Sequence, residues 1–461
     1  MSIDTLPDDV LLVIFNSFLY ESQHIQERAE AWQSLVHVCR RWRSIVFGSP
    51  RHLDLQLVCT TRTRTRDTQD VWPALPLIIW YFSSPKGSVD KLDNIIAGLE
   101  HRDRVSQIHL INVPSSDLGI ILAEMQQPFP KLEILGLESD GETSPVVSDS
   151  LLGGSAPSLY ILELSRVRFP GLPKLLLSAT HLVALILSNI PHAGYFSPDT
   201  LATAISTVTS LDYLVIDFQS PRSYPNSATR RPPPSTRYVF PVLTRFSFKG
   251  ASEYLEDFLA LIDAPQLNDL KITLFNDILF DTPQSMQFIS RTPTSRVPEK
   301  VIITLRDHAA GVNLPSRTPD RGRLHVEILC RGLDWQLSSL EQVCTSFLPS
   351  LSALEDLYIH KDSRLQPDRK DDIENRLYLE LIRPFTGVKN LYLSEEFSPR
   401  IAPAFQESVE GRATAVLPAL QNIFLEGFES SEPVQEGLRQ FFAARQVAGH
   451  PIAISRWMNP E

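Results

Sequence analysis

The chain has 461 residues, of which 43% are hydrophobic and 21% charged, a composition typical of globular proteins with room for more than one domain. Its 43 basic and 54 acidic residues give a formal net charge of −11, which argues against a nucleic-acid-binding protein. No apolar run reaches the roughly 18 residues that a membrane span requires, so we expect neither a membrane nor a nucleic acid among the partners.

The cysteines and the amino-terminal sequence favour a cytoplasmic or nuclear protein. Four cysteines in a chain of this length do not form a disulfide framework, and they lack the C-x-x-C spacing of metal sites: Cys39, Cys59, Cys330 and Cys344. The apolar run from Val10 to Leu19 follows acidic residues, whereas a secretory signal needs positive charge there.

Two amphipathic helices are predicted at the start of the chain. In "LPDDVLLVIFNSFL" the apolar residues recur every three or four positions, which predicts a helix over Asp9 to Leu19. Pro7 suits its first turn, and the two aspartates favour the positive end of the helix dipole. The same spacing predicts a second helix from about Glu30 to Val46, ended by a glycine and a proline.

An arginine-rich stretch follows these helices. Residues 60–70 read "TTRTRTRDTQD", which has no apolar periodicity and predicts a solvated connector. Between Arg28 and Arg66, eight arginines oppose one glutamate and one aspartate, a local excess of +6. This excess is compatible with a docking patch for an acidic partner, and also with a solvated helix face followed by a loop.

Beyond Val71 the dominant feature is a repeated L-x-x-L-x-L pattern, in which Ile, Val or Phe can replace Leu. It occurs as "VSQIHL" (105–110), "LEILGL" (132–137), "LYILEL" (159–164), "LVALIL" (182–187), "LDYLVI" (211–216), "LTRFSF" (243–248), "LNDLKI" (267–272), "LEDLYI" (354–359), "VKNLYL" (388–393) and "LQNIFL" (420–425). A period of 23 to 29 residues between the first five fits one strand plus one helix per unit.

Helical spacing recurs between these strands, at 115–125, 251–262 and 371–382, and a proline often precedes the next strand. This β/α rhythm is that of leucine-rich repeats, whose stacked units form a curved parallel sheet that binds macromolecules. The x positions are predicted to face outward from the sheet, and they supply our candidate substrate-binding residues: Glu133, Glu163, Asp212, Lys271, Glu355 and Tyr358.

The repeat pattern is irregular. Leucine-rich repeats usually place Asn three residues after the last Leu, but this chain has Val113, Asp140, Val167, Ile190, Gln219 and Glu396 there. We expect apolar plugs to support the loops instead. "KVIITL" and "GRLHVEIL" are weaker strand candidates between Ile272 and Leu354, and polar insertions near 220–237 and 360–372 predict mobile loops.

No motif for catalysis, a cofactor or a metal is present. The phosphate-binding loop, the H-E-x-x-H zinc helix and the G-x-S-x-G nucleophile elbow are all absent. "LLGGSAPS" (151–158) is superficially similar to an oxyanion loop, but its position before a strand favours a turn. We expect a non-catalytic protein without a cofactor, and a hydrolase reading rests only on scattered Ser, His and Asp residues.

The segments "LPDDVLLVIFNSFL", "AWQSLVHVCRRWRSIV" and "GSPRHLDL" together resemble the F-box, and the remainder is similar to the leucine-rich part of F-box proteins from mushroom-forming fungi. The stretch from Tyr20 to Ala31 is longer and more polar than the usual F-box link. The predicted organisation is an F-box helical domain over 1–55, a connector over 56–70 and a repeat solenoid over 71–461. The fold class is α/β, with a parallel sheet on the concave side and helices on the convex side.

The resemblance implies a substrate-recognition adaptor of a Skp/cullin/F-box ubiquitin ligase. The F-box would bind Skp, and through it a cullin/RING ligase, while the repeats would hold an unknown substrate protein. By position, the implied Skp contacts are Leu6, Pro7, Val10, Leu11, Ile14, Val38, Cys39 and Trp42. The alternative is an interaction scaffold whose decayed F-box packs on the first repeat and does not meet Skp.

Overall fold

The computed structural model describes residues 5–20, 25–60, 75–82, 91–141, 143–221, 237–275, 282–292, 300–315, 322–348, 351–361, 375–395, 397–412, 416–426 and 432–457. The chain divides into two compact units. The first unit comprises residues 1–194 and 207–211, and the second comprises 195–206 and 212–461. No helix in the described part of the chain is long and apolar enough to cross a membrane.

The first unit begins with three helices and continues with parallel strands. The helices are α1 (Asp8–Tyr20), α2 (Ile25–Val36) and α3 (Arg40–Gly48). Six strands follow, each paired in parallel with the next: β1 (Leu57–Thr60), β2 (Leu77–Phe82), β3 (Val105–Val113), β4 (Ile134–Ser139), β5 (Ile161–Ser165) and β6 (Ala184–Ile190). Between them lie α4 (Lys91–Leu99), α5 (Ser115–Glu124), α6 (Leu172–Leu176) and short 3-10 turns at Leu151–Gly154 and His192–Gly194.

The second unit has the same alternation. Its helices are α7 (Pro198–Ile205), α8 (Ser252–Leu261), α9 (Pro283–Arg291), α10 (Leu333–Gln342), α11 (Asn375–Ile382), α12 (Ser398–Arg412) and α13 (Glu432–Val447), with short turns at Val343–Phe347 and Leu351–Ala353. Its strands are β7 (Tyr213–Phe218), β8 (Tyr238–Val239), β9 (Arg245–Gly250), β10 (Ile262–Asp263), β11 (Asp269–Phe275), β12 (Lys300–Arg306), β13 (Ala309–Leu314), β14 (Arg323–Leu329), β15 (Asp356–Lys361), β16 (Asn390–Leu393), β17 (Asn422–Glu426) and β18 (Ala453–Trp457).

Ten of these strands form one sheet in the order β7-β9-β11-β14-β13-β12-β15-β16-β17-β18, while β8 and β10 pair separately. All neighbours in the sheet are parallel except β13, which is antiparallel to both β12 and β14. The predicted fold class is confirmed in both units, because parallel strands alternate with helices as in leucine-rich repeats.

The repeated leucines explain this architecture. The first Leu of a motif closes a turn before the strand: the N–H of Leu132 donates to Phe129 O at 3.2 Å, and that of Leu182 donates to Ala179 O at 3.1 Å. The later leucines of each motif occupy every second position of the strand and are buried in the core. Strands β7 and β17 accordingly show strict alternation between buried and half-exposed residues. Each observed strand therefore begins about two residues after the first residue of its motif, except β3, which begins with its motif.

Three of the six turns that lack the repeat asparagine are supported by apolar plugs, as the sequence predicted, while Gln219 is exposed and Glu396 lies outside the described residues. Val113, Val167 and Ile190 are buried in the core. At the β4 turn the N–H of Asp140 donates to Val113 O at 2.9 Å, and Ser115 lies within 3.0 Å of Ser139 through their hydroxyls. Apolar plugs and serine hydrogen bonds therefore replace the missing amides.

A buried carboxylate joins two consecutive repeats of the second unit. Glu256 on α8 accepts hydrogen bonds from the backbone N–H groups of Gln284 at 2.8 Å and Ser285 at 2.7 Å. These donors belong to the first turn of α9, where no helical partner exists for them. The positive end of the helix dipole further favours the negative charge of Glu256 there.

Three local predictions differ from the structure. The single helix expected from about Glu30 to Val46 is wrong, because the chain breaks at 37–39 between α2 and α3: Cys39 is extended and its Sγ accepts from the Trp42 N–H, capping a new helix. Strand β1 lies inside the stretch predicted as connector, and residues 61–70 of that stretch lie outside the described residues. Strand β13 was not predicted at all.

Candidate protein-binding surfaces

The helix α1 carries two apolar faces, and the described part of the chain covers one of them. Leu11, Phe15 and Leu19 are spaced four residues apart and are buried. The Phe15 ring packs against the Trp42 ring of α3 at 4.7 Å, with the planes tilted by 55°. This face forms the core of the N-terminal helices together with Leu35, Val36, Ile45 and Val46.

The second face of α1 is exposed to solvent. Val10 is 42% exposed, Val13 63%, Ile14 41% and Phe18 43%. These residues also recur at helical intervals, and each lies one or two positions along the chain from a residue of the buried face. A contiguous exposed strip of this kind on a short helix is characteristic of protein-interaction sites.

The structure separates the eight predicted Skp contacts into three groups. Leu11 is completely buried, and Leu6 and Trp42 are half-buried. The exposed members are Pro7, Val10, Ile14, Val38 and Cys39. Val13 and Phe18 are not among the predicted Skp contacts, although their helical spacing with Val10 and Ile14 could have identified them.

Two polar contacts fix the N-terminal helices. The Arg41 guanidinium lies 2.6 Å from a carboxylate oxygen of Asp8 and also donates to the Leu6 carbonyl, which holds the start of α1 against α3. The indole N–H of buried Trp32 donates to Gln56 O at 2.8 Å, directly before β1. The three helices are therefore attached to the first strand of the repeats through α2, while the strip on α1 stays open.

The predicted substrate-binding residues of the first unit lie on or beside its sheet. Glu133 is exposed immediately before β4, beside a cavity of about 280 Å³ that Arg104 and Lys131 also line. Glu163 is exposed on β5 by surface area, but its carboxyl is partly desolvated by the groups around it, and this desolvation, with the nearby Glu138 as a second cause, raises its pKa.

The other four predicted residues belong to the second unit. Asp212 is half-buried, accepts from the Thr244 hydroxyl and lies 3.2 Å from the Arg245 guanidinium. Glu355 is exposed and its carboxylate lies 2.6 Å from Lys389 Nζ. Lys271 is exposed on β11, and Tyr358 is half-buried on β15. The repeat pattern predicted that these residues lie on one sheet, but it could not predict which of them are half-buried and which are held in ion pairs.

Two side-chain ladders cross strands β15 to β17. The Tyr358 and Tyr392 rings stack at 4.1 Å, and Tyr392 stacks on Phe424 at 4.5 Å. Beside them, Asn390 Nδ2 donates to Asp356 Oδ1 at 2.7 Å, and Asn422 Nδ2 donates to Asn390 Oδ1 at 2.8 Å. Burial, and then a hydrogen bond with Tyr392, raises the pKa of Tyr358. The register explains both ladders, because parallel strands align equivalent residues side by side.

The described residues contain no cluster of three or more His, Cys, Asp or Glu that could hold a metal ion. The "LLGGSAPS" segment forms a tight turn in which Leu152, Gly153 and Gly154 adopt positive φ values, as the sequence predicted. Burial raises the pKa of the Cys330 thiol to about 11, which disfavours a reactive thiolate.

Comparisons with known proteins add little to this picture. No protein-family model matches the chain, and no curated protein matches it. Among solved structures, the chain is similar to the leucine-rich repeat-containing protein LegL7 from Legionella pneumophila, with 13% identity, a TM-score of 0.26, and coverage of 75% of this chain and 93% of that chain. The leucine-rich-repeat-like architecture is seen directly in the alternation of parallel strands and helices described above.

Proposed function

We propose that this protein is a substrate-recognition adaptor of a Skp/cullin/F-box ubiquitin ligase, in which helices α1 to α3 bind Skp and the repeats bind a client protein. The observation that carries the proposal is the exposed apolar strip of α1, formed by Val10, Val13, Ile14 and Phe18. A helix with one face in its own core and a second apolar face in water is suited to docking on another polypeptide.

The strip is large enough to contribute usefully to binding. The exposed parts of its four side chains together equal about two whole side chains. Complete burial of one such side chain is worth about 1.5–3 kcal/mol. The strip thus offers about 3–6 kcal/mol, or roughly a hundredfold to ten-thousandfold in affinity. A few apolar anchors of this size commonly dominate an interface of standard area.

The exposed arginines in and after α3 support an acidic partner. Arg40, Arg43 and Arg51 are exposed in and after α3. They belong to the basic stretch of a chain whose overall charge is −11. Such local complementarity accelerates association with a negatively charged protein and weakens with added salt.

The attachment of the helices to the repeats supports the adaptor role over the decayed scaffold. A decayed F-box should lie with its first helix covered by its own repeats, but the contact to the repeats runs through Trp32 of α2, and the α1 strip is exposed. Holding Skp and a client on one chain raises the effective concentration of the client at the ubiquitin-transfer site. Ubiquitin transfer itself would occur on other subunits.

Affinity purification with mass spectrometry tests this function. We expect Skp and a cullin to co-purify with the full-length chain, and Val13→Asp combined with Ile14→Asp to abolish their recovery because a buried interface would have to desolvate two charges. The matched control is Ile120→Asp, since Ile120 is 48% exposed on α5, outside the strip.

The control should retain Skp at the wild-type level, and circular dichroism should show that both variants are folded. Equal recovery of Skp with the strip variant and with wild type would exclude this docking surface. No recovery of Skp with folded wild-type protein would exclude the adaptor function.

A further inference from the structure

The sheet face of the second unit contains one continuous row of outward side chains. The strand register aligns Ser247, Lys271 and His325 on β9, β11 and β14. The row continues through Asn313 on β13 and Ile302 on β12 to the Tyr358 ring of the aromatic ladder. The row therefore runs across the strands from a polar end to an aromatic end.

Four cations around this row are already held in ion pairs. Four ion pairs lie on the neighbouring rows, with nitrogen–oxygen distances of 2.8 to 3.2 Å: Arg245–Asp212, Lys249–Asp217, Arg323–Asp269 and Arg306–Glu327. Among the described residues, Lys271 has no carboxylate within ion-pair distance, although it is exposed at the centre of this group. An anion from another molecule can therefore pair with Lys271 without displacing an internal partner.

A second polar group of the row is also without a partner. The side-chain oxygen of Asn313 is buried, and no hydrogen-bond donor reaches it from the described residues. A buried acceptor left unsatisfied costs about 1–3 kcal/mol. Because this oxygen is buried, a ligand on the sheet face does not contact it in this conformation, and recognition by the row depends on Lys271 and the aromatic end.

The aromatic end of the row offers an apolar surface. The stacked rings of Tyr358, Tyr392 and Phe424 are half-exposed, and the Trp457 ring meets Tyr358 and Tyr392 edge-on at 5.8 and 5.5 Å. Aromatic residues in this setting are typical anchors of protein interfaces. The Lys300 Nζ also lies over the Tyr358 ring, 5.8 Å from its centroid, so that positive charge is present at the aromatic end of the row as well as at Lys271.

We propose that this row binds an extended acidic peptide segment, whose anionic side chain pairs with Lys271 and whose apolar side chain lies against the ladder of Tyr358, Tyr392 and Phe424. Four strand spacings separate Lys271 from Tyr358, a distance of about 19 Å, which about six extended residues span. The inference rests on the proposed function in that it names the client's recognised segment.

Affinity selection of synthetic peptides on the purified full-length chain tests the proposal. The libraries are randomised peptides of about ten residues with Asp, phosphoserine or Lys fixed near one end. We expect the wild-type chain to enrich the Asp or the phosphoserine library about tenfold over the Lys library, with apolar residues selected about six positions from the fixed residue. The more strongly enriched of the Asp and phosphoserine libraries shows whether the row prefers a carboxylate or a phosphate.

Charge reversal supplies the control. Lys271→Glu should reverse the preference and enrich the Lys library, whereas Lys174→Glu, at an exposed lysine on α6 of the first unit, should select peptides as the wild type does. An unchanged acidic preference in Lys271→Glu, or no peptide enriched by the wild type, would overturn the proposal. Skp is absent from this experiment, and the chain with Val13→Asp and Ile14→Asp should select the same peptides, so that failure here and failure of Skp docking are separate results.

Discussion

The two phenylalanines of helix α1 should respond differently to replacement by alanine. Phe15→Ala should mainly lower stability, and Phe18→Ala should mainly weaken Skp binding. Phe15 is buried against Trp42, while Phe18 is 43% exposed on the strip. Phe15→Ala removes a full aromatic side chain from the core, which costs about 3–5 kcal/mol. Phe18→Ala removes about half of that burial and should cost about 1.5–2.5 kcal/mol.

The effect on Skp binding should run the other way. The exposed part of Phe18 is worth about 1 kcal/mol when an interface covers it, and hot-spot residues exceed such area-based values. Phe18→Ala should therefore weaken Skp binding about tenfold. Phe15→Ala should weaken it only to the extent that the helices unfold.

Hydrogen exchange read by mass spectrometry is the suitable assay for stability, because repeat proteins open locally and a single unfolding free energy is not defined for them. Amides of α1 should exchange much faster in Phe15→Ala than in Phe18→Ala. Skp affinity is measured by titration on the same samples. Equal acceleration of exchange in both variants, or unchanged Skp affinity in Phe18→Ala, would refute the division of α1 into a core face and a docking face.

Three further predictions concern the repeats and the thiols. Glu256→Ala leaves two N–H groups of α9 without their charged acceptor, so exchange at the start of α9 should accelerate by an amount equivalent to about 3–5 kcal/mol; unchanged exchange would contradict this. Asn390→Ala interrupts the amide ladder, so exchange of the β15 to β17 amides should accelerate by an amount equivalent to roughly 1–3 kcal/mol, and unchanged exchange would contradict a stabilising ladder. At pH 8, iodoacetamide should label exposed Cys39 first, because the raised pKa of about 11 keeps Cys330 as a thiol; equal rates would contradict the burial of Cys330.

Much of the repeat architecture could be predicted from the sequence, because the leucine positions are determined by local turn and strand geometry. The strand motifs all correspond to observed strands, with a consistent offset caused by the turn that leucines such as Leu132 close. Strand β13 could not be predicted in this way. Its sequence "AAGVNL" lacks the motif, and its place between β12 and β14 depends on antiparallel pairing with both.

In the candidate sites, too, the apolar periodicity could be read from the sequence, whereas features that depend on tertiary contacts could not. Helix α1 is apolar on two faces, so periodicity alone grouped Leu11 with Val10 and Ile14, and only packing against α3 shows that Leu11 is buried. The break before α3 depends on the cap made by Cys39 rather than on the apolar spacing. Ion pairs likewise occupy Arg245, Lys249, Arg306 and Arg323 around Lys271, which no strand pattern could indicate.

The most direct test of the central claim is carbene footprinting of the full-length chain with and without purified Skp. In the free chain, Val13 and Phe18 should be labelled, as should Ile120 on α5, because all three are exposed. Addition of Skp should protect Val13 and Phe18 and leave Ile120 labelled. Binding of Skp with undiminished labelling at Val13 and Phe18, or absence of any binding, would contradict the account.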